Sequence, residues 1–107
     1  KYLIKSGGEN IYPAEIERVL LAHAAVADAV AVRHRDDRWG EVPIALVALK
    51  PGAALGAQTL LQWCRSQLAS YKLPKEIRFV ALEDFPRSST GKIQRHEIEK
   101  RMGPPKG

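Results

Sequence analysis

The stretch Val42-Pro43-Ile44-Ala45-Leu46-Val47-Ala48-Leu49 carries no charged or hydrogen-bonding side chain. An apolar run of this length and continuity reads as a buried central strand, covered on both faces. The rest of the chain must therefore supply the cover. It is also the longest apolar run, and it falls far short of the ~20 residues that a membrane-spanning helix needs. A second apolar segment, Val26 to Val32, is valine-rich and reads as another strand.

The covering elements are legible from their periodicity. Pro13 suits the first position of a helix, and Glu15 and Glu17 complement its positive end. Ile16, Val19 and Leu20 give that helix an apolar stripe up to about Ala22. Leu60, Leu61, Cys64 and Leu68 mark a second amphipathic helix, bounded by Pro51-Gly52 before it and Pro74 after it. Tyr2 to Lys5 reads as a short strand stopped by Gly7-Gly8, with Glu9 to Tyr12 returning as its hairpin partner. Arg33 to Gly40 reads as a loop or strand extension, Ile77 to Leu82 as a third strand of the main sheet, and Gln94 to Arg101 as a short helix. The resulting expectation is an α+β fold: a small sandwich of a short N-terminal hairpin and a roughly three-stranded sheet with helices packed on it.

A chain of 107 residues fits a single domain, and its 45% hydrophobic share is enough for one modest core. Cys64 is the only cysteine, which excludes an internal disulfide and a multi-cysteine zinc site and suits a reducing, cytoplasmic setting. The net charge of +5 is uneven: residues 1–69 carry +1 and residues 70–107 carry +4. That bias invites a phosphate-bearing partner, whether polynucleotide, nucleotide or coenzyme. The first residue is not methionine and the opening segment has no leader pattern, so the chain reads as an excised piece of a longer protein in preference to a processed product. Residues 103–107, rich in Pro and Gly, read as a frayed tail.

Two segments could carry chemistry. In Pro86-Arg87-Ser88-Ser89-Thr90-Gly91-Lys92-Ile93, small hydroxylated residues and a glycine allow close backbone approach, and Lys92 offers a point charge on a long stem. A Walker A loop is ruled out, because Pro86 stands where its first glycine belongs. On spacing alone a solvent-exposed turn is the commoner explanation. Ser6-Gly7-Gly8-Glu9-Asn10 permits positive φ, and locally it is an ordinary hairpin turn. Glu15 and Glu17 cannot face each other on one helix, so they read as helix-start charges. His23, His34 and His96 have no metal-ligand spacing, and Cys64 on an apolar stripe reads as a buried thiol. Trp39 could cap the core or serve as an exposed stacking platform; its local sequence does not separate the two.

Taken together, these segments resemble something known. Ile4 to Glu17 resembles the start of the C-terminal domain of adenylate-forming enzymes, the superfamily of firefly luciferase, acyl- and aryl-CoA synthetases and peptide-synthetase adenylation domains. Pro86 to Arg95, with Thr90-Gly91-Lys92-Ile93-Gln94-Arg95, resembles that domain's terminal lysine motif. Asp36-Asp37-Arg38-Trp39-Gly40-Glu41 falls between them, as in the CoA-synthetase branch. The resemblance covers nearly the whole chain in order. It implies a ligase that joins a carboxylic acid to ATP, with Mg2+, and then transfers the acyl group to coenzyme A. It implies further that residues 1–107 are the mobile C-terminal domain, beginning at the hinge, and that a large N-terminal domain holding most of the ATP and acid pocket is absent.

The resemblance also assigns roles. Lys92 matches the adenylation lysine, Gly7 and Gly8 the glycine loop that meets the pantetheine arm, and Lys1 the hinge position. Trp39, Tyr71, Lys72 and Lys75 become candidates for the CoA nucleotide, the aromatic pair by stacking and the lysines by meeting phosphates. Some relatives carry Arg where this chain has Leu73. Expected partners are the protein's own N-terminal domain, ATP or acyl-AMP, CoA and a small carboxylic acid, with no metal site of the domain's own and no nucleic acid. Two other readings compete. One is a peptide-synthetase adenylation domain. The other is a small basic nucleic-acid-binding module, supported by the basic last third but not by the 7% aromatic content. A third possibility is a structural domain whose lysine loop is inert.

Overall fold

The two apolar runs form one long antiparallel ribbon, and everything else is arranged around it. The computed structural model describes residues 1–103. Strand β3 (Val26–Asp36) pairs with β4 (Gly40–Leu49) along almost its whole length, from Val26 opposite Leu49 to Asp36 opposite Gly40. Of the two readings of Arg33 to Gly40, strand extension holds as far as Asp36, and a turn at 37–39 leads into β4. Charged residues are accommodated there by partners from outside the ribbon, Glu99 for Arg33 and Lys75 for Asp36.

Strand β1 (Ile4–Ser6) and β2 (Glu9–Ile11) make the N-terminal hairpin. The hairpin does not stand apart from the main sheet. Ser6 pairs with Gly40, which joins it to β4. Farther along the same edge of β4, β5 (Glu76–Phe79) pairs in parallel from Ile44 to Val47. The sheet therefore has five strands, in the order β2-β1-β4-β3 with β5 also on β4. Pro43 is tolerated in this central strand because it falls between the two partners on that edge. Its carbonyl still accepts from the Lys75 amide at 2.8 Å.

Alternation along the ribbon explains why its apolar runs are unbroken. Ala29, Ala31, Ala45 and Val47 face helices α1 (Pro13–Leu21) and α2 (Ala57–Arg65), where Ile16, Leu20, Leu60 and Cys64 are buried. Val30, Val32, Val42 and Ile44 face the other way, onto Phe85 and onto Ile98 of helix α3 (Arg95–Met102). Cys64 is fully buried, and that burial raises its thiol pKa, which suits an inert packing role.

Helix α2 ends three residues earlier than the Leu68 stripe suggested. The amides of Gln67 and Leu68 fold back onto the Cys64 carbonyl in a tight turn, which keeps Leu68 in the core. Strand β5 ends at Phe79 rather than Leu82, and a single 3-10 turn follows at Leu82–Asp84. Beyond Gly103, the expected frayed tail lies outside the described residues. Among those residues no helix is long and apolar enough to cross a membrane.

Candidate functional site

The glycine hairpin and the β3–β4 turn meet at one end of the ribbon. Gly7 and Gly8 are both at positive φ, 55° and 83°, as a two-residue turn matched to strand twist requires. The Gly7 amide donates to the Trp39 carbonyl at 2.8 Å. A Cβ on Gly7 would lie 2.8 Å from Trp39 Cε3, so the indole rests on the space that the missing side chain leaves. Gly8 has nothing within 4 Å of its would-be Cβ. Trp39 is 46% exposed and so does not plug the core.

Asp36 organises this turn. Its Oδ1 accepts from the amides of Arg38 and Trp39, both at 2.9 Å, while its Oδ2 pairs with Lys75 Nζ. Lys75 first, then the two amides, hold the Asp36 carboxyl at a pKa of about 2. The Arg38 guanidinium lies 4.9 Å from the centre of the Trp39 ring. The result is a groove of about 360 Å³ walled by Gly7, Trp39, Pro43, Tyr71, Leu73 and Lys75.

Not every expected CoA ligand reaches that groove. Lys72 donates to Glu15 at 2.9 Å, a contact that raises the lysine pKa, and it lies 5.5 Å over the Tyr71 ring. Gly8 is also outside the lining. Lys1 is exposed, 6.0 Å over the Tyr12 ring. Sequence reasoning missed Asp36 and Arg38. The Asp-x-x-Trp-Gly spacing was the available signal for a side-chain-capped turn.

The lysine loop is built at the other end. The Ser88 amide donates to the Lys92 carbonyl and the Gly91 amide to the Ser88 carbonyl, each at 2.9 Å; the Gln94 amide closes onto Pro86 at 2.8 Å. Gly91 takes φ 86° at the bend. Arg87 ties the loop down, donating to the Gly91 carbonyl at 3.0 Å and to Asp28 of β3 at 2.7 Å. This is an ordered turn, yet Lys92 itself is exposed. Its ammonium has no ion-pair partner among the described residues.

Asp28 stands beside Lys92 in a shallow cavity of about 380 Å³, and Asp36 stands beside Trp39. Eight residues of strand separate these two aspartates, about 26 Å at the ordinary rise. The two candidate surfaces thus occupy opposite ends of one continuous ribbon.

A five-stranded sheet with helices on both faces, a glycine hairpin at one end and a lysine loop at the other define a class. The chain belongs to the AMP-binding enzyme C-terminal domain family, whose sequence pattern matches residues 15–92. Among curated relatives, it is 47% identical over 97 residues to a 2-succinylbenzoate–CoA ligase of Geobacillus sp. (strain WCH70), covering 91% of this chain and 19% of that protein. Among solved structures, it is 41% identical to the o-succinylbenzoate-CoA synthetase of Bacillus subtilis in complex with its acyl-adenylate intermediate, with a TM-score of 0.84 over 91% of this chain and 19% of that one. It is 37% identical to the Mycobacterium tuberculosis fatty acyl-CoA synthetase, again with a TM-score of 0.84, over 92% of this chain and 19% of that one. The chain therefore spans about a fifth of the length of the relatives that it matches.

Proposed function

We propose that this chain is the mobile C-terminal domain of an ATP-dependent, AMP-forming acyl- or aryl-CoA ligase, hinged near Lys1. The observation that carries the reading is the separation of a free ammonium and a glycine-walled groove to opposite ends of β3. One end serves adenylation and the other serves thioester formation, and the domain turns to present each in its step.

The electrostatics suit that division. Adenylation brings a carboxylate against a triphosphate, so anionic groups repel. A cation bridging carboxylate and α-phosphate oxygens offsets the repulsion as charge shifts in the transition state. Lys92, exposed and without a partner of its own among the described residues, can move into that position without first breaking an ion pair. Thioester formation needs a narrow passage for the thiol arm of CoA, and Gly7 lines such a passage. Trp39 and Tyr71 offer faces to an adenine, Arg38 offers charge to the attached phosphates, and Lys75, held by Asp36, lines the same groove. ATP, its Mg2+ and the acid are assigned to the N-terminal domain.

The two 2-succinylbenzoate–CoA ligase likenesses make 2-succinylbenzoate the first acid to test. In the full-length protein, Lys92→Ala removes a preorganised transition-state contact, a loss worth about 2.7–4 kcal/mol, or roughly two to three decades in rate. Acid-dependent pyrophosphate exchange should fall by that amount. Thioester formation from pre-made acyl-AMP should stay near normal. Equal loss in both half-reactions, with unchanged unfolding midpoint, would refute the two-ended reading.

A further inference from the structure

Among the described residues the outer edge of β3 has no strand partner, and an open strand edge normally leaves a row of amides and carbonyls facing solvent. Here side chains close it. The Ala29 amide donates to Asp28 at 2.9 Å. The Ala31 amide donates to Glu17 Oε2 at 2.9 Å, and the Ala31 carbonyl accepts from Arg95 Nε at 3.3 Å. The Arg33 amide donates to the Tyr2 hydroxyl at 2.9 Å, and that hydroxyl donates to Glu99 at 2.6 Å.

Glu17 and Arg95 also hold each other. Arg95 Nη2 lies 2.8 Å from both Glu17 oxygens. The Glu17 side chain is 14% exposed and that of Arg95 30%, so the pair is only partly open to solvent and is less screened than a fully exposed one. Arg95 opens helix α3 and sits three residues after Lys92. The pair therefore fastens the C-terminal root of the lysine loop to the ribbon, as Arg87 on Asp28 fastens its N-terminal root.

Resting on the adenylation role proposed for Lys92, we infer that Glu17 is a positioning residue for that lysine, acting through Arg95. With both roots fixed, the loop presents Lys92 at one height above β3 when the domain docks. Without Glu17, Arg95 loses its carboxylate, the Ala31 amide loses its acceptor, and the C-terminal root is free to shift. A misplacement of about 1 Å at a reacting group can cost as much as a hundredfold in rate.

The test is a double-mutant cycle in the full-length protein, read by acid-dependent pyrophosphate exchange. Glu17→Ala should lower kcat for exchange by about ten- to a hundredfold, with little change in KM for ATP. Thioester formation from pre-made acyl-AMP should be unaffected. On a Lys92→Ala background the Glu17→Ala penalty should vanish, because there is no lysine left to position. A penalty that persists on that background, or equal losses in both half-reactions, would overturn the inference while leaving the adenylation role of Lys92 standing. A Lys92→Ala protein with normal exchange would instead overturn that role and this inference together. Arg95→Gln, which leaves Glu17 on the Ala31 amide, runs through the same cycle with the same expected outcomes and serves if Glu17→Ala does not fold.

Discussion

Gly7 and Gly8 are adjacent, both at positive φ, and yet their substitution should differ. Alanine at either position pays the left-handed penalty of about 1–2 kcal/mol. Only at Gly7 does the new methyl also meet the Trp39 ring, at 2.8 Å. Gly7→Ala should therefore displace the indole, whereas Gly8→Ala should leave it in place. In a Trp63→Phe background, with Trp39 as the sole fluorophore, the emission maximum and acrylamide quenching should change for Gly7→Ala and stay put for Gly8→Ala. Asp36 gives a second residue-level expectation, in pH. Its carboxyl is held at about 2, below the usual carboxylate range near 3.9, so the folded state favours the charged form. The stabilisation is fully present above about pH 4 and is lost as pH falls through about 2. Urea midpoints of the parent and Asp36→Asn should differ at pH 7 and converge across that window.

At the scale of elements, helix α3 is the one with the least apolar burial. Only Ile98 on it is buried, at 2%, against Val30, Val32 and Phe85, whereas α1 places Pro13, Ile16 and Leu20 inside. Ile98→Ala should cost about 2–5 kcal/mol. Native-state hydrogen exchange should show α3 and the lysine loop losing protection before β3 and β4 do. The same contrast shows what the sequence could and could not disclose. The ribbon was legible because Val42 to Leu49 and Val26 to Val32 must be covered on both faces. Helices α1 and α2 were legible because Ile16, Leu20, Leu60 and Cys64 recur at helical spacing. The fusion of the hairpin to the sheet rests on a single register pair, Ser6 with Gly40, which leaves no periodic trace. Glu17 looked like a helix-start charge, since nothing local announces that α1 lies along an open strand edge. Lys72 looked free for a phosphate, but its partner Glu15 stands 57 residues earlier and is near it only in the fold.

At the scale of the molecule, the charge pattern bears on what the domain binds. Of its basic side chains, Arg33, Lys72, Lys75, Arg78, Arg87 and Arg95 are each paired with a carboxylate. With Lys100 on Glu97, that makes seven of the 17 basic side chains engaged within the domain among the described residues, and a 7% aromatic content offers few faces on which bases could stack. The chain also has two hydrophobic layers on one sheet, so the 107 residues should fold alone in one cooperative transition. Its grooves, however, are open and lie at opposite ends of β3, and neither can enclose a triphosphate together with an acid. The isolated domain should therefore melt cooperatively, catalyse no pyrophosphate exchange with 2-succinylbenzoate or a panel of other acids, and show no salt-sensitive binding to mixed oligonucleotides. Differential scanning calorimetry, an exchange assay and a fluorescence titration at low and moderate salt check the three parts. Exchange by the isolated domain would mean that the chemistry resides in this chain and not between two domains. Oligonucleotide binding that collapses with salt would restore the nucleic-acid reading, and a melt without cooperativity would mean that the two layers need the rest of the enzyme to close around them.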